Sequence, residues 1–172
     1  MSPPLVQLLD FMGDVPAYVR DKHLNVVAST PMARALSGAF TVNVNLARYV
    51  FLNPEFRDLV MDWPDIAGQT TASLRNSLEQ HEEDSWFTEL VGELSANSEA
   101  FATAWAHDYR DAATWGRVSL QHPQVGPIVM IYQELVIPDD FENVLVVWRP
   151  SQAARGAYSR LVSVVHAKHL DS

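Results

Sequence analysis

The stretch "GPIVMIYQELVI", from Gly126 to Ile137, is rich in β-branched residues and predicts a long β-strand. Two similar runs flank it, "WGRVSLQ" from Trp115 to Gln121 and "NVLVVWR" from Asn143 to Arg149. Turn residues separate the three runs, so we predict three consecutive antiparallel strands. The longest strand is largely apolar on both faces, which indicates that both sides of the sheet are covered.

A second β region lies near the N-terminus. The segment "AYVRDKHLNVVAS" predicts two short strands, Ala17–Arg20 and Leu24–Ser29, joined by a turn at Asp21-Lys22. The chain between the two β regions has helical periodicity, and its longest predicted helix covers Trp63–Gln80. This order predicts an α+β fold: a five-stranded antiparallel sheet of the PAS type, with helices packed on one face. A hollow between sheet and helices could hold a small ligand.

The same patterns divide the chain into three parts. We predict an N-terminal linker helix over residues 1–15, a PAS-like ligand-binding domain over residues 16–150 and a C-terminal helix over residues 151–172.

The composition of the chain argues against several classes of protein, among them nucleic-acid-binding, disulfide-rich and membrane proteins. The net charge of −9, with twelve scattered Lys and Arg residues, argues against direct binding to nucleic acid. The absence of cysteine excludes a disulfide framework, a thiolate zinc site and a thiol nucleophile. No apolar run reaches the roughly eighteen residues of a membrane helix, and the N-terminus lacks the basic residues of a signal peptide. We expect a cytoplasmic protein that does not associate with membranes.

Recognisable catalytic motifs are missing. The sequence contains no nucleophile elbow, H-E-x-x-H motif, phosphate-binding glycine loop or dinucleotide fingerprint, so we expect neither an enzyme nor a cofactor. His107 and Asp108 are adjacent on a predicted helix and point about 100° apart, which disfavours a catalytic pair. His166 and His169 have a spacing that metal ligands can use, but no acidic residue accompanies them on that helix. We expect no metal site.

The segment "NVNLARYVFLNPEFRDLVMDWPD", residues 43–65, predicts short helices that close the hollow over the sheet, with Arg48, Tyr49 and Phe51 as lid and anchor. A guanidinium that faces an apolar hollow can hold a carboxylate through two hydrogen bonds. The alternative interpretation is that Arg48 points to water or pairs with an aspartate, and Arg75, beside Leu74, has the same two interpretations.

Aromatic residues at helical spacing, Phe101 and Trp105, predict either a pocket wall or ordinary core packing. Together with one residue of the long strand, these positions make the predicted ligand-binding set: Arg48, Tyr49, Phe51, Leu74, Arg75, Phe101, Trp105 and Ile131.

Several blocks, in this order and spacing, resemble a known family: "VPAYVRDKHLNVVAST", "NLARYVFLNPEFRDLVMDW", "LVGELSANSEAFATAWAHDYR" and "LQHPQVGPIVMIYQEL". They are similar to the MmyB-like ligand-binding domain of actinobacterial XRE-type transcription regulators, over roughly Leu5 to Pro150. The resemblance implies a PAS-like domain that follows a helix-turn-helix DNA-binding domain and senses a small hydrophobic molecule such as a fatty acid. No segment before Leu5 is long enough for such a DNA-binding domain, so we expect that domain to be absent from this chain.

The expected function is therefore that of a ligand-sensing domain of a bacterial transcription regulator. The alternative is a structural or protein-interaction domain whose hollow is filled by aromatic side chains: Trp63, Trp86, Phe101 and Trp105. Because XRE-type regulators commonly act as dimers and the outer sheet face is apolar, we also expect a homodimer that uses this face and a terminal helix.

Overall fold

A five-stranded antiparallel sheet forms the centre of the computed structural model, which describes the backbone of residues 3–138 and 140–170 and the side chains of residues 5–138 and 140–168. The spatial order is β2-β1-β5-β4-β3. The strands are β1 (Ala17–Asp21), β2 (Val26–Ser29), β3 (Trp115–His122), β4 (Gly126–Ile137) and β5 (Asp140–Pro150). The α+β fold class predicted from the sequence is confirmed.

Helices occupy the chain between the two β regions and both ends of the described chain. They are α1 (Pro3–Phe11), α2 (Pro31–Leu36), α3 (Leu46–Leu52), α4 (Pro54–Leu59), α5 (Trp63–Gln80), α6 (Ser85–Asn97), α7 (Glu99–His107) and α8 (Arg155–Leu170). Prolines begin α2 and α4, where a missing backbone N–H costs nothing. Among the residues described, no helix combines the length and apolarity needed to cross a bilayer.

The inner face of the sheet packs against most of the helices. Its side chains come from alternate positions of neighbouring strands, because strands β1, β5 and β4 pair in register through Tyr18, Val146 and Glu134. Val118 and Leu120 of β3 join the same buried core. This face therefore forms the floor of any space between the sheet and the helices.

The outer face of the sheet is covered in part by the N-terminal helix α1. Leu5 and Leu9 of α1 pack against Ala17, Val19 and Leu145, and the five residues form a second buried cluster. Helix α8 instead packs against α2 and β4 and contributes to the main core. Helix α1 thus covers the outer face of β1 and β5 and leaves β3 and much of β4 open.

The first hairpin departs from the predicted strand boundaries at Leu24. Its φ of 64° places it in the left-handed region, so the second strand begins at Val26 rather than at Leu24. The Asp21 carboxylate stabilises the turn by accepting hydrogen bonds from the backbone N–H groups of His23 and Asn25, both at 2.9 Å. The turn buries the Leu24 side chain against the inner core.

Asn45 joins this hairpin to helix α3, as the predicted helix cap. Its side-chain oxygen accepts from the N–H of Arg48 at 3.0 Å, and its amide donates to the carbonyl of His23 at 2.8 Å and to Asn25 Oδ1 at 3.0 Å. The residue is buried, so each of these groups would lack water if its partner were removed.

We expect Asn45→Ala to lower the free energy of unfolding by about 2 kcal/mol, because it removes a helix cap and leaves buried polar groups unpaired. Asn53→Ala is the matched control: it removes the cap of α4, whose hydrogen bond to Glu55 is exposed, and we expect a loss of about 0.5–1 kcal/mol. Urea denaturation followed by circular dichroism measures both. Equal losses would contradict the structural role of Asn45.

Candidate ligand-binding site

A cavity of about 110 Å³ lies between the inner face of the sheet and helices α3, α4 and α5. Most of its wall is apolar, formed by side chains from the first hairpin, the short helices, α5 and β3: Leu24, Phe40, Leu46, Val50, Phe56, Ile66, Val118 and Leu120. Ligand sites commonly combine such an apolar wall with a few polar groups. The hollow predicted from the sequence is therefore present as open space.

Four aromatic rings form one side of the cavity. Tyr18 stacks on Phe40 with ring centroids 4.5 Å apart, Phe40 lies 5.4 Å from Trp148, and Trp148 lies 5.2 Å from Tyr132. Gly116 permits this arrangement, because any side chain at its position would collide with the Tyr132 ring. The aromatic rings thus give the cavity a rigid, preformed side.

An ion pair forms the polar end of the cavity. Nη2 of Arg20 donates to both carboxylate oxygens of Glu134, at 3.1 and 3.0 Å, and both side chains are largely buried. The pair joins β1 to β4 across the intervening strand β5. Burial raises the pKa of Tyr18 well above its usual range and raises the pKa of Tyr132 to about 12, so both hydroxyls stay protonated at neutral pH.

The indole N–H of Trp148 is buried at this end of the cavity and has no hydrogen-bond partner within the described part of the chain. It lies close enough to the Tyr18 hydroxyl to affect that group's pKa, but the two groups do not meet hydrogen-bond geometry. Buried donors are nearly always paired in folded proteins. This N–H is therefore available to an acceptor inside the cavity.

Arg48, one of the two predicted carboxylate anchors, pairs with an acidic residue of the protein instead. Its Nε and Nη2 donate to the Glu93 carboxylate at 2.6 to 3.0 Å, and its guanidinium lies 5.7 Å from the Trp86 ring. The Arg48 side chain holds the pKa of Glu93 below its usual range. Arg48 lies outside the residues that line the cavity, in a half-exposed ion pair.

Arg75, the other predicted anchor, completes the end of helix α7. It donates to the carbonyls of Trp105 at 2.6 Å and Asp108 at 2.7 Å, and its guanidinium lies over the rings of Trp105 and Tyr109. These carbonyls lack partners within the helix, so the arginine satisfies them. The guanidinium is thus directed to the protein backbone and away from the cavity wall.

The other predicted residues do not form part of the cavity wall. Phe51 meets Phe101 edge to face at 5.0 Å, Phe101 stacks on Trp105 at 5.6 Å, and Leu74 is fully buried in the core. Tyr49 contacts Phe56, and Ile131 lies on the outer face of β4. A ligand contact by any of the eight stays a prediction.

The cavity wall includes neighbouring positions on two of the segments that carry predicted residues. Helix α3 presents Leu46 and Val50 to the cavity, one turn apart, rather than Arg48. Strand β4 presents Tyr132 and Glu134 rather than Ile131. A carboxylate on an otherwise apolar strand was the available signal, because a buried Glu134 requires a cationic partner.

Two of the polar residues considered for a catalytic pair or a metal site, Asp108 and His166, have other hydrogen-bond partners in the structure. Asp108 accepts from Arg110 rather than from His107, with Nε–Oδ1 at 3.0 Å. His166 Nε2 lies 2.6 Å from Asp14 Oδ1, and the side chain of His169 lies outside the described residues. Within the part of the chain described, no group of three or more His, Asp or Glu side chains could hold a metal ion.

We expect Arg20→Met to lower the free energy of unfolding by about 3 kcal/mol, because it leaves the Glu134 carboxylate buried without a partner. The double variant Arg20→Met/Glu134→Leu should recover most of this loss, since it removes both charges. As a control, Arg48→Ala breaks a half-exposed pair and should cost less than about 1 kcal/mol. Urea titrations measure all three; a loss of under 1 kcal/mol for Arg20→Met would contradict a buried pair.

The comparisons with known proteins agree with this architecture. The comparison with curated proteins gives no significant match. The sequence model of the MmyB-like transcription regulator ligand binding domain matches residues 1–161, which is most of the chain and includes all residues that line the cavity. The chain therefore belongs to the family of MmyB-like transcription regulator ligand-binding domains.

Proposed function

We propose that this domain senses a small hydrophobic molecule with a fatty-acid-like chain and that the cavity beneath α3 and α4 is its binding site. The observation that carries the proposal is an apolar cavity with one polar end, inside a domain of a ligand-binding family. The domain would work in the bacterial cytoplasm without catalysis, and a separate domain would contact DNA.

The size of the cavity sets the size of its ligand. A cavity of about 150 Å³ in another protein binds benzene, so the 110 Å³ found here accommodates a single ring or a chain of comparable volume. Each buried methylene contributes about 0.8 kcal/mol, which favours a ligand that fills the space. A longer chain would require α3 and α4 to move apart from the sheet.

Strand β1 connects the cavity to the outer helix. Tyr18 and Arg20 line the cavity, whereas Ala17 and Val19, at the alternate positions, pack beneath α1. A ligand that displaces the inner side chains would shift the surface on which α1 rests. In this proposal, binding favours one arrangement of α1, which passes the change to the regulator's DNA-binding domain.

The alternative function, a structural domain with a filled core, rested on four aromatic residues. All four pack elsewhere: Trp63 donates its indole N–H to the carbonyl of Val50, Phe101 stacks on Trp105, and the Trp86 ring lies 4.2 Å from that of His23. None of these side chains belongs to the cavity wall. The open cavity favours ligand binding over a purely structural role.

We expect benzene and hexanol to raise the melting temperature of the protein and Ser73→Leu to abolish the effect, because the larger side chain fills the cavity. The matched control, Asn76→Leu, adds the same side chain to the exposed side of the same helix and should leave the effect unchanged. Differential scanning calorimetry measures the shifts. No shift in the unmodified protein would contradict the proposed site.

We further propose that the domain forms a homodimer through the open part of the outer sheet face. Trp115 and Leu135 are exposed there, and Val6, Leu8 and Phe11 are exposed on the neighbouring helix α1. Isolated apolar residues are common on protein surfaces, but a cluster indicates an interface. A second copy related by a two-fold axis would present the same apolar residues in return.

Light scattering after size exclusion at micromolar concentration tests the dimer. We expect a mass of twice the 19.3 kDa of one chain, and we expect Leu135→Glu to halve it, because charge repels across a two-fold axis. Leu52→Glu, which also changes an exposed leucine but on α3, is the control. A single-chain mass at every concentration would rule out the dimer.

A further inference from the structure

We propose that the cavity selects ligands whose polar end is uncharged and accepts a hydrogen bond, such as an amide, an ester or an alcohol. This inference rests on the proposed function, since it specifies the head group of the molecule that the cavity binds. It concerns the polar end formed by Arg20, Glu134, Trp148 and the hydroxyls of Tyr18 and Tyr132.

The first argument is the charge balance at this end. Arg20 is the cation among the lining residues, and its guanidinium already binds both oxygens of Glu134. An ionised ligand placed beside this pair would bring a second carboxylate close to the first. Like charges in a largely buried site repel strongly, because little water screens them. The neutral pair therefore disfavours an anion.

The second argument is the hydrogen-bonding capacity that remains. The indole N–H of Trp148 is a donor without an acceptor among the described residues, and Trp148 is 7% exposed. A carbonyl or hydroxyl oxygen of a ligand would satisfy it. The hydroxyls of Tyr18 and Tyr132 can act as donors or acceptors, because burial keeps both protonated.

The two arginines predicted as carboxylate anchors, Arg48 and Arg75, are bound by other groups of the protein. Arg48 is bound by Glu93, and Arg75 by the carbonyls of Trp105 and Asp108. Neither lines the cavity, so neither can balance the charge of a bound carboxylate in this conformation. Within the cavity, a head group meets the neutral pair, the indole, the tyrosine hydroxyls and further uncharged polar side chains of the wall.

Isothermal titration calorimetry at pH 7.5 with hexanamide and hexanoate tests the proposal. The two probes have almost the same shape, but the acid is ionised at this pH and the amide is neutral. We expect hexanamide to bind at least about tenfold more tightly, since an unpaired buried charge costs more than a factor of ten in affinity. Equal binding, or tighter binding of hexanoate, would overturn the proposal.

Two variants identify the groups responsible. Trp148→Phe keeps an aromatic ring but removes the donor, so we expect it to weaken the binding of hexanamide about five- to tenfold more than the binding of benzene. Glu134→Gln removes the repelling charge and should raise the affinity for hexanoate about tenfold relative to that for hexanamide. If Trp148→Phe weakens benzene equally, the indole N–H is not the recognition group and the proposal fails.

Benzene separates this proposal from the proposed function. If neither benzene nor hexanamide binds the unmodified protein, the cavity is not a ligand site and both proposals fail. If benzene binds and the two six-carbon probes bind equally, only the selection of an uncharged head group fails. The affinities of the unmodified protein for hexanamide and hexanoate test the selection of an uncharged head group even where a variant does not fold.

Discussion

Strands β1 and β5 carry apolar side chains on both faces, so both faces of the sheet must be shielded from water. On the outer side, Leu5 and Leu9 of α1 cover Ala17, Val19 and Leu145. On the inner side, helices α3, α4 and α5 pack over the sheet and leave a cavity of about 110 Å³ between the two layers. The layers of the domain, and the gap between them, follow from this two-sided apolar sheet.

The buried pair of Arg20 and Glu134 is the main exception to this apolar pattern. A pair of this kind usually contributes less to stability than apolar side chains of the same volume, because both charges lose their hydration. In the proposed function, its position at the end of a largely apolar cavity makes it a polar group that a bound ligand would contact. The same pair links β1 to β4, so a movement of either side chain at the cavity would act on two strands of the sheet.

Much of the fold could be predicted from the sequence because it depends on local periodicity. The β-branched residues of "GPIVMIYQELVI" predicted β4, and the spacing of apolar residues placed α5 at its observed bounds, Trp63–Gln80. The sequence pattern predicts Leu24 in a strand, because it gives no sign that a single residue adopts the left-handed backbone conformation. The cover of the outer face by α1 depends on tertiary packing, which local periodicity does not show.

The cavity wall was harder to predict, because periodicity shows which residues share a face but not what that face contacts. Arg48 stands among apolar neighbours in the sequence, yet its partner Glu93 is 45 positions away. Arg20 and Glu134 are 114 positions apart and meet only because β5 lies between their strands. Long-range partners of this kind determine which charges remain free for a ligand.

Methyl-resolved NMR with and without hexanamide tests the central claim most directly, that the ligand site is the space between the inner sheet face and α3–α5. We predict chemical-shift changes and ligand contacts at the methyl groups of Leu24, Leu46, Val50 and Leu120, which line that space. The methyl groups of Leu5 and Leu9, on the opposite side of the sheet, should show no ligand contacts. Ligand contacts confined to the outer face or to surface grooves would contradict the account.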